Sequence, residues 1–305
     1  MTTRQVRLAA GASRALPYAG LLAAMASFQL GASFAERLFP LAGAQGVAAL
    51  RITIAAAILL ATSAPWRGLT RKTLNWRNVG PLIAYGVSLG AMNTLFYMAL
   101  QTLPLGVAVA IEFVGPLGVA LAASRRPSDL AWVGVAAAGL LLLLPTGLTR
   151  GVDTRGALLA LAAGACWAAY ILFGRRAGDA YGTRATGLGL LIATACFLPP
   201  QMVQHSAALF SARVLPIAAL VALLSSALPY SLEMYALTRM PTRVFGTLMS
   251  LEPAIGALAG LALLGQRLAP LQWAGIGAVM LASAGAAGAG AGARPPAGAR
   301  EPLPL

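Results

Sequence analysis

The chain has 305 residues, of which 59% are hydrophobic and only 10% charged, with a formal net charge of +14. A soluble domain carries roughly 25% charged residues, so a water-facing surface of this size is excluded and lipid must be the main solvent. The positive charge does not signal a nucleic-acid partner, because the arginines punctuate apolar runs instead of gathering on one basic domain.

Apolar runs of about 17–25 residues predict an all-α integral membrane protein with ten transmembrane helices. The first, 17–36, follows Arg4, Arg7 and Arg14 in the manner of a secretory signal, but it is long enough to span and more membrane sequence follows, so it is expected to be retained. Glu36 and Arg37 close it and are expected to pair locally in water. The second span, 44–63, holds Arg51 about two turns inside. The third, 78–100, contains Asn93 and Tyr97; the fourth, 104–123, contains Glu112 and Pro116; the fifth is 129–146. The sixth, 156–174, carries Cys166 and Tyr170, and the seventh, 185–204, carries Cys196; both cysteines read as small buried hydrophobes, and no disulfide is expected. Pro229, Tyr230 and Glu233 lie in the eighth, 213–237, and Glu252 and Pro253 in the ninth, 241–264. The tenth is 270–290, and the Gly/Ala/Pro/Arg segment 291–305 reads as a disordered cytoplasmic tail.

Loop charges set the orientation. Arg4, Arg7, Arg14, Arg67, Arg71, Lys72, Arg77, Arg125, Arg126, Arg175, Arg176, Arg184, Arg239, Arg243, Arg294 and Arg300 fall on one side; Arg37, Arg150, Arg155, Arg213 and Arg267 fall on the other. Both termini are therefore expected in the cytoplasm.

Two segments 137 positions apart read as divergent copies. Ala99, Leu100, Pro104, Pro116 and Ala120-Leu-Ala122 recur as Ala236, Leu237, Pro241, Pro253 and Ala257-Leu-Ala259. That offset covers five spans, an odd number, so the second copy crosses the membrane upside down. A weaker match, Leu22-Ala-Ala-Met-Ala-Ser-Phe28 against Leu161-Ala-Ala-Gly-Ala-Cys-Trp167, agrees. Inverted repeats of five helices, over 17–146 and 156–290, are a hallmark of secondary transporters, whose substrate site lies near the midplane between the repeats.

Glu112 lies eight residues into its span, about 12 Å at the rise of a helix, and Glu252 eleven residues in, about 16 Å. A carboxylate at that depth is expensive and marks a functional site by default. The functional reading is proton coupling or a counter-charge for a substrate ammonium; the alternatives are an interhelical hydrogen bond or a structural pair with Arg51. Through the repeat Glu252 corresponds to Gly115, one turn beyond Glu112. Pro116 and Pro253 each remove a backbone donor and free a carbonyl four residues earlier, favouring a hinge or a site over a plain packing kink. Glu233 can face the site, snorkel, or pair with Arg239. Arg51 can bind a substrate carboxylate, reach headgroups or neutralise a glutamate. Asn93, Tyr97, Tyr170 and Tyr230 can line a cavity, although tyrosines near span ends are more often interfacial anchors. Gly86/Gly90 and Gly256/Gly260 have the spacing that permits close helix contact. The one histidine, His205, falls in an expected loop, no phosphate-binding loop motif occurs, and no aspartate lies well inside a span. No enzyme activity, cofactor or metal is expected.

Glu112-Phe-Val-Gly-Pro-Leu117 with Ser124-Arg-Arg-Pro127 and Asp129 resembles a signature of bacterial threonine/homoserine exporters in the EamA branch of the drug/metabolite transporter superfamily. So does Leu228-Pro-Tyr-Ser-Leu-Glu-Met234, continuing through Ala236-Leu-Thr-Arg239, Pro241-Thr-Arg243 and Phe245-Gly-Thr-Leu-Met-Ser-Leu-Glu-Pro253. The resemblance runs from about residue 17 to 285. It implies two EamA-like five-helix repeats in a bacterial inner membrane, and export of small amino acids by proton antiport with alternating access. It also implies a central cavity lined by helices 1, 3, 4, 6, 8 and 9, with Glu112, Glu233 and Glu252 near it. The expected partners are the lipid bilayer, a small amino acid and protons, with no nucleic acid. Another cargo on the same fold, such as a purine or a cationic drug, stays open, as does a passive channel or scaffold.

Overall fold

A computed structural model describes residues 3–63, 66, 73–122, 129–143, 153–182, 184–237, 239, 245 and 248–289. Lipid offers backbone groups no partner, so each segment must satisfy its own, and the described residues form helices and no strands. In chain order these are α1 (Thr3–Glu36), α2 (Phe39–Ala42), α3 (Ala44–Ser63), α4 (Trp76–Ala99), α5 (Leu105–Glu112), α6 (Val114–Ala122), α7 (Asp129–Leu143), α8 (Thr154–Tyr181) and α9 (Arg184–Leu209). There follow α10 (Val214–Ala222), one π-helical turn (Leu223–Ala227), α11 (Leu228–Leu237), α12 (Glu252–Leu264) and α13 (Pro270–Ala289).

Each expected span meets a helix or an interrupted one. Among the described residues five helices, including α1, α3 and α4, are long and apolar enough to cross a membrane unaided. Span 4 is split into α5 and α6, span 8 runs through α10, the π turn and α11, and α12 supplies the second part of span 9. Of the loop cations used for orientation, Arg67, Arg71, Lys72, Arg125, Arg126, Arg150, Arg243, Arg294 and Arg300 lie outside the described residues, as does the tail 291–305. So do the side chains of His205 and Tyr230.

Helix pairing follows the inverted repeat. Exchanging the halves turns span 1 into span 6, 3 into 8 and 4 into 9. The packing of α4 along α8 then becomes that of α11 along α1, and both interfaces are present. The contacts of α3 with α9, α5 with α12 and α7 with α13 map onto themselves. The fold is thus two inverted five-helix repeats that meet face to face, with spans 4 and 9 crossing at the junction.

Small residues set the distance of that crossing. A Cβ added to Gly106 of α5 would lie 2.5 Å from the Ala257 Cα of α12, so the two backbones touch there. The Gly86 and Gly90 pair presses α4 against α9, where a Cβ on Gly86 would meet the Gly189 carbonyl at 2.6 Å. Side-chain caps start two of the long helices: Asn75 accepts from the Asn78 amide at 3.1 Å, and Asp153 from the Gly156 amide at 2.9 Å. That backbone hydrogen bond holds the Asp153 carboxyl below its ordinary value. The cysteines depart from expectation, since Cys166 is half-buried and Cys196 is exposed on α9, where lipid replaces protein as its apolar surroundings.

Candidate functional site

The fourth span breaks where its proline predicts. Pro116 has no N–H to give the Glu112 carbonyl; α5 ends at Glu112, Phe113 is a turn residue that keeps right-handed helical dihedrals, and α6 resumes at Val114. The freed carbonyl turns to α8, where a Cβ on Gly164 would lie 2.6 Å from the Glu112 oxygen. Gly115 sits equally tight, and a Cβ there would drive into the Gly164 carbonyl. Two glycines therefore seat the break directly on the α8 backbone.

The ninth span breaks in the opposite sense. Ser250 and Leu251 turn, and Glu252 opens α12 with Pro253 in its first turn, a position that needs no N–H donor. Glu112 is thus the last residue of its helix and Glu252 the first of its own.

Pro229 acts through a different device. In the π turn the Leu228 amide reaches back to the Leu223 carbonyl. The Leu224 carbonyl would next be served by residue 229, which as proline has no N–H. The Ser27 hydroxyl of α1 donates to that carbonyl instead, at 2.7 Å. Gly31 of α1 leaves room for the turn, since a Cβ there would lie 2.7 Å from the Ser225 Cβ.

These breaks surround a cavity of about 150 Å³ between the repeats. One lone water needs only about 10–15 Å³, so a small solute has room. Its lining comes from spans 1, 3, 4, 6, 8 and 9, the six that the family resemblance implies. They contribute Phe28 and Gln29; Met92, Asn93 and Phe96; Val109 and Glu112; Trp167 and Tyr170; Glu233; and Phe245, Met249 and Glu252. Three carboxyl groups thus face one small space. Glu112 and Glu252 are both buried, at 7% exposure.

Arg51, Tyr97 and Asn93 form a cluster at this wall. The buried guanidinium donates to the Tyr97 hydroxyl at 3.0 Å and to Asn93 Oδ1 at 2.5 Å, and it lies 5.2 Å from the Phe28 ring and 5.3 Å from the Tyr97 ring. The Asn93 amide in turn donates to the Leu89 carbonyl at 2.8 Å. A hydrogen bond to a charged group contributes about 1.5–3 kcal/mol, so this cluster fixes α3 against α4. Arg51 and Tyr97 are not among the lining residues, whereas Asn93 is.

Sequence reasoning passed over the aromatic wall and one amide. Phe28 and Trp167 are the paired ends of the weaker repeat match, so repeat symmetry alone could have marked them. Gln29 follows directly and is completely buried, and neither its Oε1 nor its Nε2 has a hydrogen-bond partner among the described residues. Leaving such a group unpaired costs about 1–3 kcal/mol. Glu252 Oε2 is in the same condition.

At one end of spans 1, 4 and 9, the expected pair of Glu36 and Arg37 is replaced by cross-links between helices. Gln266 donates to Glu36 Oε2 at 3.3 Å and accepts from the Leu105 amide at 2.8 Å, while Arg37 donates to the Leu263 carbonyl at 3.2 Å. The left-handed Gly265 at the end of α12 turns the chain so that Gln266 can reach both helices, and burial of Glu36 favours protein partners over water.

The EamA-like transporter family model matches residues 154–287. The threonine/homoserine exporter RhtA of Escherichia coli K12 is 54% identical over 271 residues, which cover 88% of this chain and 90% of that protein. Its counterpart in Salmonella typhimurium LT2 is 53% identical over the same shares. An uncharacterized transporter of Bacillus subtilis, YwfM, is 28% identical, covering 76% of this chain and 80% of the relative. One crystal structure, 21% identical, superposes with a TM-score of 0.52 over 88% of this chain and 96% of that one, which supports the fold.

Proposed function

Because the chain belongs to the EamA-like transporter family, we propose that it exports threonine, homoserine and related small amino acids across a bacterial inner membrane, in exchange for protons and by alternating access. The observation that carries this reading is the cavity at the junction of the inverted repeats, into which Glu112, Glu233 and Glu252 project. A zwitterion brings an ammonium group, and buried carboxylates are its natural counter-charge. Substrate leaving a glutamate exposes a charge that a proton then neutralises, which ties one movement to the other.

The helix breaks supply the moving parts. Pro116, Pro229 and Pro253 each remove a backbone donor beside an irregular turn, so the helices are weakest there and bend at those points. Spans 4 and 9 rock about Glu112 and Glu252, and the cross-link of Gln266 with Glu36 and Leu105 closes one end of the path. Arg51, Asn93 and Tyr97 hold the wall in place and keep a positive charge near the carboxylates. With the cation-rich loops in the cytoplasm, both termini lie inside, and the cross-linked end faces outward.

The test is efflux of labelled threonine and homoserine from loaded cells that lack their own exporters, with and without a protonophore. Export against a gradient that collapses with the protonophore is the expected result. A panel including a purine and a cationic drug decides the cargo, and efflux of either in place of the amino acids overturns that part of the reading.

A further inference from the structure

We propose that Gln29 is the specificity-determining residue of the cavity, reading the side-chain hydroxyl of the amino acid carried. The inference rests on the amino-acid cargo proposed above and names the group that selects within that class.

Gln29 belongs to α1, has no solvent exposure, and lines the cavity together with Glu112 and Glu252. Both polar atoms of its amide lack a partner among the described residues. Its neighbour across the junction is Gly256 of α12, where an added Cβ would lie 3.4 Å from Oε1, so a side chain at that position would press on the amide. Two other polar groups of the lining have contacts of their own. Asn93 is held by Arg51 and by the Leu89 carbonyl, and Tyr170 stacks on Tyr85 with ring centroids 5.0 Å apart.

The chemistry of the missing partner follows. A primary amide offers an acceptor oxygen and an N–H donor side by side. A carboxylate cannot donate, and an ammonium cannot accept. A hydroxyl does both: it donates to Oε1 and accepts from Nε2, closing the pair in one contact. The carboxyl groups of Glu112 and Glu252 remain for the ammonium. An amino acid with a methyl in place of the hydroxyl would leave both amide atoms buried and unpaired, and sites built to bond a hydroxyl reject such analogues strongly.

The experiment compares export of labelled threonine and of its isostere valine from loaded, exporter-deficient cells, normalised to transporter abundance in the membrane. Wild type is expected to prefer threonine. Gln29→Met keeps the chain length and removes the amide; it should slow threonine about thirtyfold, the worth of the two hydrogen bonds lost, leave valine unchanged, and so erase the preference. In purified protein, threonine should raise the melting temperature of wild type and not of the variant. A Gln29→Met protein that keeps the wild-type ratio, or loses both substrates in parallel at normal abundance, overturns the assignment alone. Gln29→Leu is the second apolar variant, and failure of both to accumulate would mean the amide holds the fold, which also overturns it. Wild-type cells that export no threonine would overturn the cargo reading and the hydroxyl assignment together.

Discussion

The breaks of spans 4 and 9 descend from the same repeated segment but present their carboxylates differently. Glu112 closes α5, at the end where unpaired carbonyls point; Glu252 opens α12, at the end where unpaired amides point. The out-of-register placement has a steric cause. Through the repeat, Glu252 corresponds to Gly115, and a side chain at 115 would collide with the α8 backbone at Gly164. The counterpart of Gly164 in α1 is Met25, a buried side chain, whereas Gly164 presents bare α8 backbone to α6. Repeated sequence gives related places for a carboxylate, and the packing of the partner helix decides which of them is open.

The largest effect expected from this difference is on coupling. Glu112→Gln and Glu252→Gln should each abolish protonophore-sensitive threonine efflux while leaving transporter abundance unchanged; if both variants retain it, the coupling role is wrong. Moving the charges separates the two breaks more sharply. Met249, the counterpart of Glu112, already lines the cavity, so Met249→Glu in the Glu252→Gln background should recover part of the efflux. The mirror change, Gly115→Glu in the Glu112→Gln background, should fail to accumulate in the membrane.

Next in size is the steric seat itself. Gly115→Ala should destabilise the purified protein by about 1–3 kcal/mol through overpacking, read as a lower melting temperature. Gly118→Ala, three residues on and with nothing within 4 Å of an added Cβ, should leave it unchanged. Equal melting of the two variants would remove the steric account of the asymmetry.

A comparable effect is expected at the interface of α1 with span 8. Ser27→Ala should cost about 1–3 kcal/mol by orphaning the Leu224 carbonyl, again measured by melting. In a Pro229→Ala background the restored N–H offers that carbonyl another partner, so the same substitution should cost clearly less. Additive losses would show that Ser27 does not compensate for the proline.

The smallest effect concerns the caps that start α4 and α8, one neutral and one ionisable. Asp153 titrates lower in the fold than in the unfolded chain, so its cap contributes fully above the ordinary value of 3.8 and is lost as pH falls through the lower folded one. Asp153→Asn should flatten that acid dependence of melting, while Asn75→Asp should introduce one at α4.

Much of this molecule was legible in the chain because lipid imposes simple rules. Span length, loop charge and an odd-span repeat are one-dimensional signals, and they gave ten spans in two inverted halves and pointed to Glu112, Glu252 and the prolines beside them. Arg51 and Gln29 show where such signals stop. Each is a lone polar residue in an apolar run, and spacing cannot say which one finds partners. Arg51 meets Asn93 and Tyr97, which lie on another helix more than forty positions away; Gln29 meets none among the described residues. Glu36 and Arg37, adjacent in sequence, part company for the same reason, because α12 and its left-handed glycine bring Gln266 to Glu36 and the Leu263 carbonyl to Arg37.

Hydrophobic length and periodicity along one chain were enough to give the lipid solvent, the spans and the inverted repeat, and to point to the carboxylates within spans. Tertiary structure alone decided which of those polar groups share a cavity, which are held by hydrogen bonds, and why the two glutamates differ by one turn. Those outcomes depend on backbones from distant segments approaching to contact, as α6 does at Gly115 and Gly164, and no local pattern encodes that distance.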